Sequence, residues 1–112
     1  MAIYVDQPEP DSTVSTTFCA SGYFDSPQEV VRRTSGSLYV RCKITYSTGN
    51  PHTAGPEEIG DPFAGTWQVQ VENAPEGAGG FYAYLEDSVG TIIEQVGPIS
   101  ITIDAEEPIS VC

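Results

Sequence analysis

Three cysteines, one histidine and 16 carboxylates are the side chains of this 112-residue chain whose types could do chemistry. Cys19, Cys42 and Cys112 permit at most one internal disulfide and leave an odd thiol, and no Cys-x-x-Cys or Cys/His spacing suggests zinc. His52 lies between Pro51 and Thr53 with no acid or nucleophile set beside it by spacing, and no Gly-x-Ser-x-Gly elbow surrounds any serine. It reads as a solvated loop histidine, and the chain as a non-enzyme. Paired carboxylates can run glycoside hydrolysis, but a pair without geometry is uninformative, and calcium is a better use for them. The segments DQPEPD, EEIGD and DAEE each put several hard oxygen ligands on flexible loops or at domain ends. Asp6, Asp104 and Glu106 are the calcium candidates; no EF-hand spacing is present, and the alternative is a solvated acidic surface that serves solubility. No other cofactor is expected.

The elements that must carry these residues are strands, because the hydrophobic period over most of the length is two. Residues 13 to 24, TVSTTFCASGYF, read as one strand with Val14, Phe18, Ala20 and Phe24 on a face. Residues 37 to 47 alternate more cleanly, with Leu38, Val40, Cys42, Ile44 and Tyr46 inward and Tyr39, Arg41, Lys43 and Thr45 outward. Trp67, Val69 and Val71, then Phe81, Ala83 and Leu85, then Ile99, Ile101 and Ile103 mark three further strands. Ile3 and Val5 predict a short edge strand, cut off by Pro8 and Pro10. Asp87-Ser88-Val89-Gly90 reads as a hairpin turn, and Gly97-Pro98 as a bulge or kink that breaks the final strand in two. In SPQEVVRRT, Ser26, Pro27 and Glu29 suit a capping box and one helical turn; the alternative pairs Glu29 to Thr34 as a strand across Ser35-Gly36. Residues 48 to 63, with three Pro, three Gly and no periodicity, read as a long loop.

Parity constrains the cysteines. Cys42 points inward with Val40 and Ile44 while Cys19 points outward between Phe18 and Ala20, so a Cys19–Cys42 bridge needs a bulge in one strand. Otherwise Cys42 is a buried free thiol that behaves as a small hydrophobe. Cys112, beyond the last strand and after Pro108, reads as the cut end of a longer chain rather than a crosslink.

A hydrophobic fraction of 39% is enough for one folded core, and the length allows one domain, residues 1–105, followed by a tail or linker start over 106–112. A net charge of -12 repels phosphate backbones and anionic headgroups, which excludes nucleic acid and electrostatic membrane docking. No apolar run reaches the ~20 residues of a spanning helix, so no membrane insertion is expected. About seven alternating strands with no long helix imply an all-β antiparallel β-sandwich with Greek-key connections. The segments TVSTTFCASGYF, GTWQVQVENAPEGAGGFYAYLEDSVGT and PISITID resemble the strand B, strand E to F and strand G signatures of bacterial immunoglobulin-like domains, found in tandem on secreted and surface proteins. The antibody-type Cys-to-Cys spacing across a strand-C Trp is missing, since the only Trp, Trp67, falls on the strand E equivalent. The resemblance implies a β-sandwich in an extracellular or cell-surface setting, with neighbouring domains of the same chain as partners; calcium, if bound at Asp6, Asp104 and Glu106, would rigidify such a junction.

One face is singled out by charge. All four basic residues fall between positions 32 and 43. If the strands carrying Arg41 and Tyr84 are neighbours, as the family topology implies, then Tyr39, Arg41 and Lys43 lie beside Tyr82, Tyr84 and Glu86 as an aromatic face with two cations. Such a face could dock a protein or glycan. The competing reading is a solvated sheet surface held by cross-strand Tyr pairs and an Arg41–Glu86 pair. The expected function is therefore a non-catalytic module serving as structural spacer or adhesion unit, with a small carbohydrate- or protein-binding module as the alternative.

Overall fold

A computed structural model describes residues 3–34 and 37–112, most of them in strands. In chain order these are β1 (Ile3–Gln7), β2 (Ser12–Val14), β3 (Phe18–Phe24), helix α1 (Pro27–Arg33), β4 (Tyr39–Tyr46), β5 (His52–Glu58), a 3-10 turn (Pro62–Ala64), β6 (Thr66–Val71), β7 (Gly77–Glu86) and β8 (Ile92–Ile103). One sheet has the order β1-β3-β6 and the other β2-β8-β7-β4-β5. The alternating apolar positions face inward from both sheets, because a pleated strand sends successive side chains to opposite sides. Phe18, Ala20 and Phe24 of β3 and Trp67, Val69 and Val71 of β6 meet Val40, Cys42 and Ile44 of β4 and Phe81, Ala83 and Leu85 of β7 in one buried cluster. Phe18 and Phe81 face each other across it with ring centroids 6.2 Å apart.

Several expectations need correction. The stretch 13 to 24 is two strands, not one: β2 joins the larger sheet beside β8, and the chain crosses to the smaller sheet before Phe18. Val14 therefore reaches the core from the side opposite Phe18. The β2–β8 ladder is parallel, so the sheets are not wholly antiparallel. An eighth strand, β5, occupies the stretch expected to be loop. Its side chains show no alternation because it is an edge strand with little burial, and the Gly55-Pro56 step sits at a register shift opposite Val40 and Cys42.

Gly97-Pro98 does make a bulge, between the pairs Phe81↔Ile99 and Ala83↔Val96, yet β8 continues through it unbroken. Helix α1 forms with Pro27 in its first turn, but the capping box does not. Ser26 is left-handed at φ 54° and its side chain makes no cap, while its carbonyl accepts the Glu29 and Val30 N–H groups. The Ser35-Gly36 turn of the alternative lies outside the described residues. The hairpin at Asp87 is as expected, with Asp87 Oδ1 accepting the N–H groups of Val89 at 3.0 Å and Thr91 at 2.9 Å.

Candidate functional site

Strands β4 and β7 are neighbours, and their register sets Tyr39 opposite Glu86, Arg41 opposite Tyr84 and Lys43 opposite Tyr82. The five residues singled out from the sequence, Tyr39, Arg41, Lys43, Tyr82 and Tyr84, thus share one sheet face. The Tyr82 and Tyr84 rings lie parallel within 8° at 6.2 Å between centroids. Lys43 Nζ stands 5.2 Å from the Tyr82 centroid and 5.5 Å from that of Tyr84, within reach of both ring quadrupoles. Gly97 makes room for the Tyr82 ring, since a Cβ there would come within 3.0 Å of its Cδ2.

Arg41 forks onto Glu86, Nε to Oε2 at 3.1 Å and Nη2 to Oε1 at 3.4 Å. Glu86 is only 4% exposed and Tyr84 only 9%. Beside the pair lies an open groove of about 320 Å³ bounded by Tyr39, Arg41, Pro56 and the turn at residues 87–90. Both cations therefore already have partners within the face, and what the surface offers a ligand is aromatic area with polar edges. Arg41→Ala strands the buried Glu86 carboxylate and is expected to cost about 2–3 kcal/mol, below the usual figure for a buried pair because water reaches the guanidinium. A urea-unfolding double-mutant cycle with Arg41→Met and Glu86→Leu should show the double variant losing less than the sum of the singles. Strict additivity would contradict the coupling.

The calcium candidates fall in separate surroundings. Asp6, on β1, borders an open groove of about 660 Å³ together with Glu57, Glu58 and Asp61. Asp104 follows β8, where its N–H donates to the Val14 carbonyl and its Oδ1 accepts the Glu106 N–H at 3.0 Å. The neighbouring Ala105 N–H donates to Glu76 Oε1 at 2.8 Å. Among the described residues no three His, Cys, Asp or Glu side chains converge as a metal site would require.

His52 is not a loop residue. It begins β5, and its Nε2 lies 2.8 Å from the Glu72 carbonyl, an oxygen that only accepts, so that nitrogen carries the proton. The ring ties edge strand β5 to the end of β6. Nearby, the Tyr46 hydroxyl donates to the Pro75 carbonyl at 2.6 Å, and burial pushes its ionisation upward.

The cysteines resolve as the second of the two sequence alternatives for Cys42, with a bridge elsewhere that neither included. Cys19 is bridged to Cys112 with 5.1 Å between Cα atoms, and Cys42 is a buried free thiol. Cys112, expected to form no crosslink, is thus one half of the bridge. The tail returns along the smaller sheet to reach Cys19. There the Ser110 N–H donates to the Thr17 carbonyl, Gln70 Nε2 to the Ser110 carbonyl and the Cys112 N–H to Gln70 Oε1. These contacts were missed because they join residues far apart in sequence. The one available signal was the outward parity of Cys19, which already removed Cys42 as its easy partner.

Burial, aided by the charge of Glu57, holds the Cys42 thiol far above its ordinary ionisation range. The native state keeps this proton where the unfolded chain loses it, so the thiol's contribution to stability should be constant below about pH 8.5 and fall above it, by up to ~1.4 kcal/mol per pH unit. Urea unfolding at a series of pH values would read this. No decline above pH 9 would contradict it.

Among the described residues no helix is long and apolar enough to cross a membrane. No family model matches the chain, and no curated protein matches it.

Proposed function

We infer that the chain is a non-catalytic immunoglobulin-like module of a larger secreted or cell-surface protein, working as a structural spacer or adhesion unit. The observation that carries this is the strand order. In immunoglobulin-type sandwiches strands A, B and E share one sheet and C, F and G the other, with an extra edge strand beside C in the variable type. The orders β1-β3-β6 and β2-β8-β7-β4-β5 fit that scheme, with the first strand divided between the two sheets. The Cys19–Cys112 bridge favours an oxidising compartment, which supports export. The acidic surface, with a net charge of -12, favours a well-hydrated module over one that clings to anionic polymers.

A second reading, a small carbohydrate- or protein-binding module, is favoured by the assembled face of Tyr39, Arg41, Lys43, Tyr82 and Tyr84. Amide-resolved NMR of the oxidised domain separates the two, using titrations with chito- and cello-oligosaccharides and, separately, calcium chloride. A spacer gives a dispersed spectrum without saturable, localised shifts. Saturable shifts confined to the amides of residues 39–43 and 82–86 would replace the spacer with a sugar-binding module. Shifts at Asp6, Asp104 and Glu106 would instead point to a calcium-rigidified junction between domains.

A further inference from the structure

The Cys19–Cys112 bridge spans 93 positions of sequence, so it closes nearly all of the sheet-forming chain into one covalent ring. Helix α1 and strands β4 to β8 lie wholly inside the ring, and among the described elements only β1 and β2 lie wholly outside it. We propose that this ring makes the domain a length-holding link. A pull between the N-terminal strand and Cys112 crosses from Cys112 to Cys19 through the disulfide, and only the residues ahead of Cys19 can be drawn out. Everything inside the ring is covalently bypassed, whatever happens to its hydrogen bonds.

The part that stays outside the ring is placed to resist. Strand β1 pairs with β3 so that Ile3 is opposite Phe24 and Gln7 opposite Ser21. Ile3 therefore sits at the end of β3 far from Cys19. Drawing Ile3 one way and Cys19 the other loads β1 along its own length, and its hydrogen bonds share the force in shear instead of opening singly. Strand β2 is loaded along its length too, against β8, with Ser12 opposite Ile101 and Val14 opposite Ile103. At the other anchor, Gln70 grips the tail twice, through the Ser110 carbonyl and the Cys112 N–H. The property follows from covalent topology and holds whether the module spaces or binds.

Chain reach sets the expected sizes. The 18 residues ahead of Cys19 can extend to about 60 Å at ~3.3–3.6 Å each. Without the bridge all 112 residues can extend to about 400 Å, against a folded long dimension of 41 Å. Single-molecule pulling on the full chain, held between marker domains of known length, should therefore give a short release for the oxidised protein. Because the same folded span is subtracted from both lengths, the release should be more than about sixfold longer after dithiothreitol, which leaves both cysteines as thiols and becomes the cyclic disulfide.

Cys42→Ala should keep the short release, and Cys112→Ser should show the long one without reductant. A long release from the oxidised wild-type chain would overturn the proposal, as would three free thiols rather than one in the unfolded oxidised protein. Should Cys112→Ser fail to fold, reduction of the wild-type chain while it is held under force decides the matter, because there the bridge is cut after folding. A release that stays short once the bridge is cut would overturn the proposal as well.

Discussion

Replacing Cys112 with serine is expected to lower the free energy of unfolding by about 3–5 kcal/mol and the melting temperature by roughly 10–25 °C. The bridge closes a loop across 93 positions, and a loop of that size removes a large share of the entropy of the unfolded chain. On the native side the loss is small. The tail residues that carry the bridge are exposed, and their hydrogen bonds to Gln70 and Thr17 can be replaced by water. The effect therefore acts through the denatured ensemble, and it leaves a second trace. The unbridged unfolded chain exposes more surface, so the denaturant slope m should rise as the midpoint falls. Urea titrations of Cys112→Ser and of the reduced wild-type chain should agree. A loss below 1 kcal/mol in both would mean that the unfolded chain is compact even without the bridge.

Gly22→Ala is the second large effect, about 3 kcal/mol or more, from the addition of one methyl group. Gly22 is buried in β3, and a Cβ there would collide with the Tyr4 carbonyl oxygen and stand 2.7 Å from Trp67 Cζ2. The indole lies against the place of the missing side chain while its Nε1 donates to that same Tyr4 carbonyl at 3.2 Å. Neither neighbour can retreat cheaply. Moving the carbonyl opens the β1–β3 ladder at Val5↔Gly22, and moving the indole lifts a 4% exposed ring out of the core. Trp67 is the only tryptophan, so its fluorescence reports the site directly. The expected result is a lower urea midpoint with emission shifted to the red in the native baseline. A variant as stable as the parent, with unchanged emission, would show that β1 moves aside freely.

Gly22 also shows where reading from sequence stops. Its inward position between Ala20 and Phe24 follows from parity alone, and an inward glycine on a strand signals a close approach. What approaches it is Trp67, more than 40 residues later, and no local pattern names that partner. The aromatic face divides the same way. Alternation places Tyr39, Arg41 and Lys43 on one side of β4, and Tyr82 and Tyr84 on one side of β7. Their meeting, and the burial of Glu86 under Arg41, required the two strands to be adjacent and in one particular register. Strand β5 escaped because little of its side-chain surface is buried, so selection for alternating hydrophobicity is weak there. The split at residues 15 to 17 escaped for a related reason. Val14 and Phe18 are both apolar at even spacing, yet they serve opposite sheets, and a sandwich core accepts apolar side chains from either side.

By itself, the sequence determined the properties that depend on near neighbours. These are the strand period, the inward faces of β3, β4, β6 and β7, the Asp87 turn, and the opposed orientations of Cys19 and Cys42. Tertiary structure alone decided which segments lie side by side. It set the parallel β2–β8 ladder, the seat of Trp67 on Gly22, the tie from His52 to Glu72, and above all the choice of Cys112 as the partner of Cys19. The physical reason is that side-chain alternation is a local consequence of backbone geometry. Pairing across the fold is instead won by whichever distant segment buries the most surface and satisfies the most hydrogen bonds once the whole core has closed.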